Sequence, residues 1–168
     1  MKNLRNLFLA AVLFLGINAT VQAQDKVAHI NFAELIQAMP EYAQAQKSMA
    51  DLQAKYKADY DKMVQEFQTK GEKYQQEAAT AGDATNAARS KEMEEMGMRI
   101  SQFEQNAAVD MQKKSTDLNN PIMDKAFKAV EKVASAGGYN YVFDSGTGVI
   151  IAKGKDLMQD VKKELGIQ

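Results

Sequence analysis

A helical hydrophobic repeat that starts at Pro40, runs for about eighty residues and breaks once, at Gly82, limits this chain to a fold built on two long paired helices. Apolar or small side chains recur at Tyr42, Ala45, Met49, Leu52, Tyr56, Tyr60, Met63, Phe67 and Tyr74, mostly three and four residues apart. That spacing places them on one stripe of a helix and marks a coiled-coil seam. Two successive four-residue steps, at Leu52, Tyr56 and Tyr60, depart from strict heptad phase and predict a locally unwound supercoil. Pro40 suits the first helical position, where its missing N–H costs nothing, and Glu41 complements the helix dipole.

The run Thr80-Ala81-Gly82-Asp83-Ala84-Thr85 combines a helix-ending glycine with residues that cap a new helix, so the chain is expected to turn back there. A second seam follows at Met93, Met96, Ile100, Phe103, Ala107, Met111 and Leu118. Folded antiparallel about Gly82, facing positions sum to about 164. Met63 then meets Ile100 or Ser101, Tyr56 lies near Ala107, and Leu52 meets Met111 or Gln112. Helices of about 40 residues reach roughly 60 Å at 1.5 Å per residue. The remaining chain is too short to cover them, so this arm, residues 40–118, projects into solvent and is least stable at its tip.

Gly71 and Gly97 lie nearly opposite each other in that pairing and are candidate hinge positions, since glycine costs a helix interior about 1 kcal/mol relative to alanine. Tolerance at exposed sites is the competing reading. Val64 and Met98 fall outside the seam, and Tyr60 sits where its phase is ambiguous. Thioether and aromatic side chains adapt to varied apolar partners, so Tyr60, Val64 and Met98 are candidate contacts for such a partner.

The flanks, residues 24–39 and 119–168, read as a small α+β body. Lys26-Val27-Ala28-His29-Ile30-Asn31-Phe32 alternates like a half-buried strand, with His29 on its polar phase as a surface or interface residue. Asn119-Asn120-Pro121 predicts that the arm helix stops or kinks and a fresh helix begins, carrying Ile122, Ala126, Val130 and Val133 or Ala134 on one face. Gly137 and Gly138 end it. Residues 139–144 and 149–152 then predict a hairpin across Ser145-Gly146-Thr147-Gly148, before a last helix capped by Asp156, with Leu157, Val161 and Leu165 on its inner face. Three strands with open edges cannot stand alone, and self-association is the simplest remedy.

Composition excludes most chemistry. There is no Cys, no Trp and a single His, which removes thiol catalysis and Cys-based metal sites, and no catalytic residue, metal site or cofactor is expected. Val142-Phe143-Asp144-Ser145-Gly146-Thr147 looks like the catalytic loop of aspartic proteases, but one copy in a helical chain reads as a turn. Residues 1–23 carry Lys2 and Arg5, an apolar run of 11 residues and Val21-Gln22-Ala23, the pattern of a signal peptide cleaved after Ala23. That run is too short to span a bilayer, which takes about 20 residues, so an exported chain without stable membrane insertion is expected. The remainder has 19 Lys and Arg against 22 Asp and Glu, with no basic stripe to bind nucleic acid.

Lys26-Val27-Ala28-His29-Ile30-Asn31, then Met39-Pro40-Glu41-Tyr42 opening the arm, resembles the Skp/OmpH family of periplasmic chaperones. Pro121-Ile122-Met123-Asp124-Lys125 leading to Gly138-Tyr139-Asn140-Tyr141-Val142-Phe143-Asp144 is similar to the family's closing elements. The resemblance implies a mainly α homotrimer, with a small β body and three coiled-coil arms enclosing an unfolded outer-membrane β-barrel protein, held without ATP. The arm here departs from the basic arms of the best-known members, with 11 basic and 14 acidic side chains over residues 41–120. The alternative reading is a structural coiled-coil envelope adaptor that binds one folded partner.

Overall fold

The computed structural model describes residues 26–148 and 153–167. Strand β1 (Val27–Ile30) leads into a short helix α1 (Phe32–Ala38), and two long helices follow, α2 (Pro40–Ala81) and α3 (Asp83–Gly137). Strands β2 (Tyr141–Asp144) and β3 (Lys155–Asp156) and helix α4 (Met158–Leu165) complete the chain.

The long helices begin and turn where the sequence places those events. Pro40 occupies the first turn of α2, and Gly82, at φ 76°, joins α2 to α3 in a backbone conformation that a Cβ disfavours. The antiparallel register is also the expected one. Arg89 pairs with Glu77, Lys70 with Glu92 and Lys125 with Glu41, and Tyr56 donates to Asp110 at 2.6 Å. At 1.5 Å per residue, the 42 residues of α2 extend about 63 Å.

Three local expectations need correction. The N-terminal strand ends at Ile30 rather than running through Phe32, because the Asn31 side chain accepts from the Glu34 N–H at 3.1 Å and caps α1. No fresh helix begins at Pro121; α3 passes through it unbroken. The same apolar face continues across the proline, from Leu118 to Ile122 and Ala126, and packing on that face outweighs the lost backbone bond. Pro121 and Asp117 are both exposed, so water can reach the Asp117 carbonyl that the proline leaves without a donor. The third correction concerns the start of α4, whose N-cap is Leu157, while Asp156 accepts from the Met158 N–H at 2.9 Å.

The second strand of the expected hairpin, 149–152, lies outside the described residues. Among those described, the sheet has the order β2-β1-β3, and both outer strands run parallel to β1. Gly154 permits the approach of β3, since a Cβ there would lie 2.8 Å from the Val27 carbonyl oxygen. The inner face of the sheet, Ala28, Ile30 and Val142, packs with Leu35, Met39, Ala126, Leu157 and Val161 into one core at the arm's root. Of residues 46–121, Met96 is the only buried hydrophobic one. The arm is therefore held along a half-buried seam and anchored at one end.

Candidate functional site

Asp144, the one residue of the protease-like motif with a chemical use, accepts from the N–H groups of Phe32 at 3.1 Å and Gly146 at 2.9 Å. Its carboxylate thus fixes the junction of β2 with the start of α1. Among the described residues no group of three His, Cys, Asp or Glu could hold a metal ion, and no helix is long and apolar enough to cross a membrane.

What the fold offers instead is surface. Among the described residues, large apolar side chains are exposed in two groups. Val27, Tyr141 and Phe143 stand on the outer face of the sheet, where the register sets Val27 beside Tyr141 and His29 beside Phe143. His29 is half-buried there, and its Nδ1 has no hydrogen-bond partner. Met98, Val109, Met123 and Phe127 form the other group, all on α3, with the Phe127 ring 4.5 Å from that of Phe32.

The three candidate contacts do not converge. Tyr60 and Val64 are half-buried on α2, Tyr60 in step with Tyr56 and Met63 along the seam, whereas Met98 is 59% exposed on α3. Sequence reasoning missed Val109, which is 70% exposed and lies 11 residues beyond Met98, three helical turns on and on the same side of α3. The signal was present in that spacing.

Gly71 and Gly97 both lie within unbroken helices, but Gly71 faces Met93, one turn from Gly97. A Cβ on Gly71 would sit 3.4 Å from the Met93 Cε, while one on Gly97 would meet nothing within 4 Å. Gly97→Ala should accordingly raise stability by about 1 kcal/mol, read as a higher urea midpoint by far-UV circular dichroism. An unchanged or lowered midpoint would mean that Gly97 occupies a constrained place.

Toward the tip the seam changes character. Glu92 accepts from both Lys70 and, at 2.6 Å, the Tyr74 hydroxyl, and Arg89 pairs with Glu77 while lying 4.6 Å from the centre of the Tyr74 ring. Lys70 and Tyr74 together hold the Glu92 carboxyl below its ordinary range. The stabilisation from Glu92 is therefore present above that ordinary value and is lost as pH falls through the lowered one. Salt screens exposed charges as well. Exchange protection, taken relative to the intrinsic amide rate at each pH, should fall in residues 70–93 at high salt and in acid, more than in the buried root; uniform protection along the arm would contradict this.

Comparison with known proteins places the chain. Residues 26–165 match the family described as Outer membrane protein (OmpH-like). The chain is similar to the Chaperone protein Skp of Pectobacterium atrosepticum, 27% identical over 91% of this chain and 93% of that protein. Its similarity to the Chaperone protein Skp of Yersinia enterocolitica is 29% identity over 91% of this chain and 93% of that protein. The protein of the same name from Photorhabdus luminescens is 26% identical over 90% of this chain and 92% of its own length. With every element from β1 to α4 inside the matched region, the chain belongs to the OmpH-like family.

Proposed function

We propose that this chain is a holding chaperone of the periplasm, which keeps unfolded outer-membrane proteins from aggregating, uses no ATP and catalyses no reaction. The observation that carries the reading is a two-helix arm anchored only at its root, in a chain whose relatives along nine-tenths of its length are named as chaperones. A projecting arm offers a long surface without an enclosed site, which suits many weak contacts that form and break while the rest of the client stays held.

The working form is a homotrimer, with 24–39 and 119–168 as the assembling body, 40–118 as the arm, and cleavage after Ala23 releasing the exported chain. Support for assembly comes from the outer sheet face, where Val27, Tyr141 and Phe143 are exposed. Tyr60, Val64 and Met98 contact the client, and Gly71 and Gly97 let the arm bend to client size.

Diluting a urea-unfolded outer-membrane barrel protein into nucleotide-free buffer, with and without the chain, tests the function by light scattering. Suppression at about three chains per client that survives high salt is expected from apolar capture. Unchanged scattering, together with saturable binding of one folded envelope protein, would favour an adaptor instead.

A further inference from the structure

The side of α3 turned away from α2 carries a stripe with a composition of its own. At 3.6 residues per turn, Met98, Val109, Met123 and Phe127 fall within about 20° of one line along the helix. Between them, within about 40° of the same line, lie Gln102, Gln105, Gln112, Thr116 and Asn120. All nine are exposed and none is charged, although charged residues make up 26% of the chain. From Met98 to Phe127 the stripe is about 44 Å long at 1.5 Å per residue. Beside Val109, on the flank toward α2, the surface opens into a hollow of about 430 Å³, bounded by Tyr56, Phe103, Ala107 and Val109 and also by the charged Asp110 and Lys113. The Tyr56 hydroxyl is turned to Asp110, to which it donates at 2.6 Å, and the Phe103 ring stands edge-on to Tyr56 at 5.8 Å.

We infer that this stripe, which includes Met98, is a client-contact surface of the arm, and that it takes an extended, uncharged polypeptide segment bearing apolar side chains. The inference rests on the holding function proposed above and names the face that performs it. Three features select that occupant. A second helix is a poor fit, because a helix-docking seam needs apolar residues every three to four positions, and here five of the nine positions carry an amide or a hydroxyl. A chain without secondary structure brings unpaired backbone N–H and C=O groups, and Gln and Asn side chains each offer both a donor and an acceptor to meet them. Along the nine stripe positions an apolar segment desolvates no ion, and Asp110 and Lys113 border only the hollow. The hollow beside Val109 then seats one apolar side chain, while Met98, Met123 and Phe127 give less confined contacts.

The test places a photoreactive phenylalanine analogue at Gln105 or Gln112 on the stripe and, as a control, at the exposed Glu104 on another side of the same helix. Each full-length variant is mixed with a urea-unfolded outer-membrane barrel protein and irradiated. Client adducts several-fold more abundant from Gln105 and Gln112 than from Glu104 are expected. Val109→Glu, an exposed change that should leave the helical circular dichroism intact, should raise the client dissociation rate several-fold. Equal labelling from both sides of α3, or adducts to a second copy of the chain at the stripe, would overturn the inference. If the wild-type chain suppresses aggregation but labelling comes from elsewhere, the holding function stands and the stripe does not; if it suppresses nothing, both fall.

Discussion

Leu157→Ala is expected to lower the free energy of unfolding by about 2–5 kcal/mol, a large share of the 5–15 kcal/mol typical of a domain. Leu157 is fully buried and joins the last helix to the sheet. Its N–H donates to the His29 carbonyl at 3.0 Å, and its own carbonyl accepts from Val161 at 2.9 Å. The side chain shares one buried cluster with Ala28 and Ile30 of β1 and Ala126 of α3. Among the described residues about a dozen buried ones form this core, and both long helices are anchored to it, so the cavity left by the truncation is costly. Met98→Ala, at an exposed position of the arm, should change stability by no more than about 0.5 kcal/mol. Urea denaturation of both variants checks the contrast, and equal midpoints would mean that the root core does not govern folding.

The second large effect concerns the outer sheet face. Tyr141→Glu with Phe143→Glu should convert the proposed trimer to single chains in sedimentation and abolish suppression of aggregation. Both rings are more than half exposed on β2, and in register they flank the Val27 and His29 side of β1. Covering two aromatic rings would contribute several kcal/mol at about 25 cal/mol per Å². Two carboxylates on the same face would have to lose their hydration, which association does not repay. The substitutions leave the inward-facing Val142 and the root core untouched, so helical content in the single chains reports whether folding survives without assembly. An oligomer of unchanged mass would place the interface elsewhere.

The arm was legible because its signals are local and repeated. Pro40 and Gly82 fix its ends, and the three-and-four spacing of Tyr56, Met63, Met96 and Ile100 gives the register that Tyr56 with Asp110 and Lys70 with Glu92 display. The cap of α1 was equally local, an Asn31 with Glu34 three residues on, but the alternation from Lys26 to Phe32 masked it. Pro121 misled for a different reason. A proline reads as a break only when the chain has no stronger cause to continue, and here Leu118, Ile122 and Ala126 supply one through tertiary packing.

The sheet was the least legible element. Parallel pairing joins segments more than a hundred residues apart, such as Val27 with Tyr141, and β3 has only Lys155 and Asp156, with no apolar pattern. Its place depends on Gly154 and on the backbone of β1 rather than on its own side chains. The candidate contacts divide on similar grounds. Heptad phase separates seam from surface only where the seam is regular, so Tyr60 came out half-buried, and the exposed line through Met98 and Val109 emerges once both sides of α3 are seen together.

The central claim is that several copies of this chain hold one unfolded protein, and the mass of the complex tests it most directly. Native mass spectrometry of the full-length assembly, mixed without nucleotide with a urea-unfolded outer-membrane barrel protein, should give three chains with one client. Hydrogen exchange of that bound client should remain as fast as in its unfolded state. A single chain bound to a folded, protected partner would contradict the account.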